Sequence, residues 1–468
     1  MDVVIVGNGI LALTTAYRLR KLAPQSRITI IGPADHRGCA SLAAAAMLNS
    51  FAEIDVGTLT NKIERQKFLF NKLSTPLWPS LLKEIEDDSG VKLSFGFGTF
   101  VVNNHASDSL EDENFDAIVS ALDEFREAYE VVSPLHITHY KPAAKLRAAR
   151  AIYINGEGWV NPRRLFAALE KLLAQDSHVV WADNYCVSLN RSGSSVVYAE
   201  LATGERKLGD VFLLAPGAAF TKIVDASNLD IHFLKIFYGV GCSILVRTEE
   251  ATLTNCIRTP NRGLACGVYA TPQDSEHTLI GASNFISPVP EETVRLTSVY
   301  TLIKAAMEQI NSDYYRCGLK QVNVGWRPTS EDTLPLLGAT SIKNLFVATG
   351  TKRDGLHCSP VISNALAALL TGKSPGFDLS LFVPERAPIR IYTREEAIRT
   401  TVRHTINAAY QHDFIPAKNR MVEQLEQYYR NDLIQLHDSV GAVDWGIPPE
   451  MIDMYRYGHI SRSLPVHG

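Results

Sequence analysis

Six residues near the start of the chain, Gly7-Asn8-Gly9-Ile10-Leu11-Ala12, have the types and spacing of a phosphate-binding turn. Gly7 permits a tight turn, Gly9 lets a pyrophosphate approach the backbone, and Ala12 lets the helix close on the preceding strand. The helix then offers its N-terminal N–H groups to the phosphates. The turn lies between the apolar strand VVIV and the helix LALTTAYRL, the context in which such a motif signals a bound dinucleotide. A second strand about 20 residues on normally ends in Asp or Glu, which holds the adenosine ribose. Here that strand, 28–31, ends in Gly32 and Pro33. Two readings follow: NADP, with Arg37 serving a 2′-phosphate, or FAD, with its ribose held by main chain, water or Asp35. No Ser/His/Asp or paired-carboxylate pattern stands elsewhere in the chain.

The elements that must position these residues follow from periodicity. Residues 1–50 read as strand, Gly turn, helix, strand and an Ala-rich stretch, GCASLAAAAML. Residues 60–88 are helical, with Ile63, Phe68, Leu69, Leu73 and Leu77 near helical spacing. VKLSFGFGTFVVN (91–103) reads as a hairpin around its glycines. The acidic run 104–116 reads as a solvated loop entering the helix AIVSALDEFREAY, and INGEGWVNP as a turn before the helix RRLFAALEKLLA. Strands follow at HVVWADN, CVSLN, SVVYAELATG and VFLLAPG. Between 230 and 290, strand-like runs alternate with turns, as in an antiparallel sheet. A helix (292–312) leads to VGWRP, then NLFVATGT and the helix VISNALAALLTG. After FVPERAP (382–388) the character changes. Thr393 and Glu396 are spaced as a capping box, with Ile398, Val402, Ile406 and Tyr410 following at helical intervals. A second helix carries Val422, Leu425, Tyr429, Leu433 and Leu436 on one face.

A chain of 468 residues suggests two or three domains. Hydrophobic and charged fractions of 46% and 21% fit a globular α/β protein. The net charge of −4 and the lack of a Lys/Arg cluster argue against a nucleic-acid partner. Seven scattered Cys without CxxC or Cys/His ligand spacing favour free thiols in a reducing cytoplasm and no metal site. The first strand begins too early to leave room for a signal peptide, and no apolar run approaches the ~18–20 residues of a membrane span.

Taken in order, several stretches resemble the FAD-dependent amine and amino-acid oxidases, the family of D-amino-acid oxidase, glycine oxidase and sarcosine oxidase. They are GNGILA, ASLAAAAML, GEGWVNPRRLFAAL, LLAPGAAF, GWRPTSEDTLPLLG and FVATGTKRDGLHCSPVISNALAALLTG, spread over residues 1–387. GWRPTSEDTLPLLG is similar to the family's RPxxxDxxPxxG, here Arg327, Pro328, Asp332, Pro335 and Gly338. The last stretch is similar to GHxxxGxxxxP, here Gly350, Gly355 and Pro360, with Thr351 in place of the His. The resemblance implies FAD over NADP. It also implies a non-covalent flavin, since GWRPTSED lacks the Cys through which the sarcosine oxidase branch attaches its own; Cys358 reads as a buried thiol.

Implied cofactor contacts are Gly7, Gly9, Ile10 and Leu11 in the turn, then Ser41, Leu42, Ala46 and Met47 in the Ala-rich stretch, with Ala46 where relatives often carry Gly. Ala215 and Gly217 follow in LLAPGAAF, with Pro216 between them. Gly350, Arg353, Asp354, Gly355, Leu356 and His357 belong to the closing loop and helix. Main-chain N–H groups and the helix dipole there stabilise negative charge on reduced flavin. The adenine contact is unassigned; its candidate strand is 185–187.

Among catalytic candidates, Arg327 matches the Arg that grips the substrate carboxylate in glycine and D-amino-acid oxidases, a bidentate task suited to a guanidinium. Its alternative role is a structural pair with Asp332 or Glu331. Arg353 lies near the expected active-site mouth, or pairs with Asp354. Tyr238 either lines the substrate cavity or belongs to the core. The implied reaction moves hydride from a Cα–H to flavin N5 and gives an imine, with O2 as electron acceptor and H2O2 as product. The strand EHTLIGASN lacks the Lys used toward oxygen by the sarcosine oxidase branch, which leaves oxygen to be activated elsewhere or electrons to go to another acceptor.

The expected fold is a Rossmann-like FAD-binding domain of glutathione-reductase type (1–60, 145–225 and 320–386). It is interleaved with an antiparallel-sheet substrate domain (61–144 and 226–319) and followed by a helical appendage (387–468). The resemblance says nothing of the appendage, which could pack on its own core, dimerise, dock a partner protein or cover the substrate. Two other functions share the entry motif. An FAD hydroxylase would need a GD-type ribose motif that ATGTKRDG does not supply, and a flavin-binding subunit of a heteromeric dehydrogenase would need a partner.

Overall fold

The computed structural model describes residues 1–460 except 105, 107, 264, 265, 412, 413 and 415. Strand Asp2–Val6 is a β-branched run buried on both faces, as a central parallel strand must be. It pairs in parallel with Arg27–Ile31 and Val211–Leu214. Val179–Ala182 and Leu345–Thr349 extend the sheet in parallel, and Leu336–Ala339 adds an antiparallel edge. Helices Ile10–Leu22, Pro162–Gln175 and Ser359–Leu370 cover one face through Leu13, Leu169 and Ile362. A three-stranded antiparallel sheet, Cys186–Ser192, Ser195–Leu201 and Arg206–Leu208, covers the other through Leu189, Val196 and Leu201.

The second layer is a larger, mostly antiparallel sheet whose spine is Ile236–Arg247. The spine pairs along its whole length with Gly318–Ser330, from Ile236 opposite Ser330 to Arg247 opposite Gly318. Together these sheets and helices form the Rossmann-like plus antiparallel architecture expected from the sequence.

Three local expectations change. Residues 91–103 form one strand, Phe95–Asn103, with an irregularity at Gly98 in place of a hairpin turn. INGEGWV is strand too, within Arg150–Val160, and the turn comes only at Asn161, whose side chain caps the next helix. The acidic run is mostly helix, Ser109–Phe125: Asp108 caps it, Glu111 and Asp112 suit its positive end, and buried Glu111 pairs with Arg262. Arg150–Val160 and Gly318–Ser330 both pair in the large sheet, although 145–225 and most of the second strand were expected in the nucleotide unit. Each strand runs on from one layer toward the other, so composition shows no break where the layers meet.

The C-terminal region contains helices Arg394–Gln411, Met421–Ser439 and Ile452–Arg456. The capping box forms: Thr393 N–H donates to Glu396 Oε2 at 2.8 Å and Glu396 N–H to Thr393 Oγ1 at 3.3 Å. Ile398, Val402, Leu433 and Leu436 build a core of their own, closed by Phe237 from the large sheet. Among the described residues no helix is long and apolar enough to cross a membrane, and no cluster of His, Cys, Asp or Glu could hold a metal.

Candidate active site

Two joined cavities lie where the parallel strands end. The larger begins at the glycine turn. Gly7 has φ +115°, and a Cβ there would stand 2.2 Å from the Ala215 carbonyl oxygen, so only glycine lets the turn close against Val211–Leu214. A Cβ on Gly9 would meet nothing within 4 Å, and no side chain caps helix Ile10–Leu22. Its first amides therefore face open space without an acid in the first turn, which suits an anionic pyrophosphate. Gly32, Pro33, Asn184 and Tyr185 border the same cavity, as do Trp326, Gly355 and Leu356. An elongated phosphate-bearing cofactor fits this lining.

Arg37 borders the cavity but forms an exposed ion pair with Glu292. Asp35 accepts from Arg37 N–H at 3.0 Å and lies off the lining. Of the two ribose or 2′-phosphate ligands considered from sequence, Arg37 borders the cavity and Asp35 does not.

The smaller cavity shares Arg327, Arg353 and Leu356 with the larger and adds Tyr269, Cys266 and Glu53. Arg327 Nη1 donates to the Ser283 carbonyl and to Asn284 Oδ1, each at 3.0 Å. Its expected carboxylate partners are engaged elsewhere. Arg386 Nη2 donates to Asp332 Oδ1 at 3.1 Å, and Lys235 N–H donates to Glu331 Oε1 at 3.2 Å. Among the described residues Arg327 has no carboxylate partner. Arg353 lies 3.5 Å from Glu53 and donates to Cys266 Sγ at 3.1 Å, while Asp354 pairs with Lys67 at 3.3 Å. Burial alone would push the Glu53 carboxyl up, but the Arg258 and Arg353 guanidiniums hold it below its ordinary value. Glu53 is set by the turn Phe51–Glu53, whose Ser50, Phe51 and Ala52 amides donate to Glu157. His357 Nε2–H donates to the Asn71 carbonyl at 2.9 Å, and burial lowers its pKa, which favours the neutral ring.

Residues 2–369 match the sequence profile of the FAD dependent oxidoreductases. The chain belongs to that family. It is 25% identical to the glycine oxidase of Geobacillus kaustophilus over 386 residues, covering 81% of this chain and 96% of that enzyme. A glycine oxidase from Pseudomonas aeruginosa is 28% identical over 244 residues, covering 50% and 62%. Among solved structures, iminodiacetate oxidase from Chelativorans sp. BNC1 superposes with TM-score 0.69 at 20% identity, covering 82% of this chain and all (100%) of that one. Glycine oxidase from G. kaustophilus gives 0.69 at 23% identity, covering 82% and 98%. The chain is thus an FAD-dependent oxidoreductase of amino-acid-oxidase type, and the larger cavity is the one whose lining suits FAD.

Of the residues named from sequence, Gly7, Gly9, Ile10, Leu11 and Ser41 border this larger cavity, as do Ala215, Gly217, Arg353, Gly355 and Leu356. Ala46, Met47, Asp354 and His357 border the smaller one. Three lie on neither. Leu42 turns into the core, and Gly350 is packed behind the loop, where a Cβ would be 3.2 Å from the Leu334 carbonyl oxygen. Tyr238 points with Val240 to the opposite face from Gly241, and packs edge-on to Trp326 at 5.8 Å. Cys358 is also off both cavities, its Sγ donating to Asn71 Oδ1 at 3.1 Å.

Residues not foreseen are Tyr269, Glu53, Asn8, Asn184 and Lys352, all bordering a cavity. Tyr269 lies in the strand Tyr269–Pro272, buried throughout, so no alternation in the sequence marks its cavity-facing side. Lys352 borders the larger cavity from an element other than EHTLIGASN.

Proposed function

We propose that this protein oxidises the Cα–N bond of an amino-acid-like substrate whose carboxylate is held by Arg327. The observation that carries this reading is a guanidinium on the wall shared by both cavities with no carboxylate of its own among the described residues. Ser283 and Asn284 hold one side of the guanidinium by its Nη1, leaving the other donors for a bidentate substrate. Tyr269 supplies a hydroxyl on the same cavity. FAD held non-covalently in the larger cavity, against the Gly7–Gly9 turn and Gly355–Leu356, would supply a hydride acceptor for the substrate Cα–H, giving an imine, and would let two electrons and two protons go to O2 as H2O2. The protein's share is positioning and exclusion of water, so no acid–base triad is needed. The small-molecule substrates of the glycine oxidase relatives support the same class. Seven free thiols fit a cytoplasmic enzyme.

Anaerobic mixing with a panel of D-, L- and N-methyl amino acids should bleach the yellow protein, with a keto or aldehyde acid as product. Arg327→Leu should lower kcat/KM for the bleaching substrate about 10- to 100-fold while the flavin spectrum persists. An unchanged kcat/KM would remove the carboxylate role. Reduction by NADPH in place of an amine would instead support the hydroxylase reading.

A further inference from the structure

The strand that should end in a ribose-binding acid ends in Gly32, and the structure shows what stands in the space. An ideal Cβ on Gly32 would lie 2.4 Å from Asn8 Cγ, 2.6 Å from its Oδ1 and 2.8 Å from its Cβ. The volume that a side chain at residue 32 would enter is therefore filled by the carboxamide of Asn8, the middle residue of the Gly-x-Gly turn. Any side chain at residue 32 is incompatible with Asn8 where it stands, so the two positions are coupled.

The carboxamide is also oriented. Asn8 Nδ2 donates to the Pro33 carbonyl at 2.8 Å, and because a carbonyl can only accept, this bond fixes which end of the amide is nitrogen. Oδ1 is left as an acceptor, and no described residue donates to it. Asn8 borders the larger cavity together with Gly32, Pro33 and Tyr185, at the end of the second strand, where a dinucleotide's adenosine lies in this fold. The nearby acids Asp183 and Asp35 lie off that lining. Asp183 Oδ1 accepts from Ala34 N–H at 2.8 Å, and Asp35 Oδ1 accepts from Arg37 N–H at 3.0 Å.

We propose that Asn8 is the adenosine-ribose anchor of the FAD site, its Oδ1 accepting from a ribose hydroxyl in place of the absent acid at position 32. A ribose hydroxyl donates and accepts, and a carboxamide offers both roles without charge. The arrangement moves the anchor from the second strand to the phosphate-binding turn, so one loop holds both pyrophosphate and ribose.

The test is flavin binding to apo-protein, followed by quenching of flavin fluorescence, so turnover is not needed. Wild-type protein should bind FAD more tightly than an FAD analogue whose adenosine ribose lacks both hydroxyls. Asn8→Ala should weaken FAD about 5- to 10-fold, the worth of one neutral hydrogen bond, and shrink that preference. Gly32→Glu alone should weaken FAD further, because its side chain meets the Asn8 carboxamide. Asn8→Gly combined with Gly32→Glu should recover most of the loss, since the cleared space then admits an acid in its usual place. A merely structural role for Asn8 predicts instead that Asn8→Ala keeps the full preference for hydroxylated ribose. The proposal is overturned if Asn8→Ala keeps the full preference for hydroxylated ribose, or if the double variant binds no better than Gly32→Glu. Equal wild-type binding of FAD and the analogue would overturn it without recourse to any variant.

Discussion

Lys352, in the loop beside the flavin cavity, and Glu450, in the C-terminal region, form an ion pair with side chains only 10% and 11% exposed. The pair joins the family fold to a segment beyond the matched residues 2–369. Burial would raise the Glu450 carboxyl, but Lys352 outweighs it and holds it below its ordinary value. Removing one partner strands the other charge in a dry setting, so Glu450→Gln should cost roughly 3 kcal/mol. Thermal unfolding of the FAD-loaded protein should show the fall in Tm, and Lys352→Met with Glu450→Leu should recover most of it. A wild-type Tm in Glu450→Gln would mean that the extension is not fastened here.

Gly241 sits against the guanidinium of Arg327: an added Cβ would lie 2.2 Å from Nη1. The clashing atoms are the tip of a flexible side chain, so Gly241→Ala should fold normally and move the guanidinium. The expected outcome is a rise in KM for the carboxylate substrate of about 10-fold or more, with FAD binding unchanged. Steady-state kinetics beside a flavin titration checks both halves; a loss of FAD affinity would mean that the spine strand itself had shifted.

Tyr269→Phe separates a hydrogen-bonding role from a packing one. The residue is buried, and burial pushes its phenol well above the ordinary tyrosine range, so it acts only as a neutral hydroxyl. Phe keeps the ring and removes the hydroxyl. Loss of about 3- to 10-fold in kcat/KM is expected if the hydroxyl meets substrate, with Tm nearly unchanged.

How far the sequence reaches is clear from these residues. The glycine turn, the capping box at Thr393 and the two long C-terminal helices were legible because each is set by neighbours within a few positions. Arg327 was legible as part of an ordered motif. Tyr238 was named where Tyr269 borders the cavity, because residue type does not say which face of a strand meets the cavity; Gly241 and Arg327 mark that face only once the strand register is known. Asn8 and Gly32 looked like unrelated oddities until their side-chain volumes were seen to coincide. The Lys352–Glu450 pair spans 98 positions and leaves no local trace.

The longest of these unseen connections also sets a pH dependence. Glu157, 1% exposed, accepts the amides of Ser50, Phe51 and Ala52, more than 100 residues away, and so fixes the turn carrying Glu53. Those amides favour its ionised form, yet burial dominates and raises its pKa from 4.5 to about 7. Between these two values the native protein holds a proton that the unfolded chain has released. Stability must therefore fall as pH rises through this window and level off above about 7, by roughly 3 kcal/mol for this group. Asp55, raised by burial from 3.8 to about 6, adds a decline of the same sign at lower pH. Glu157→Gln keeps an acceptor for the turn but cannot ionise. Urea unfolding from about pH 5 to about pH 8 should show wild type losing stability relative to the variant as pH increases. A constant difference across that range would mean that Glu157 titrates near the ordinary carboxylate value, with its three amide donors outweighing burial.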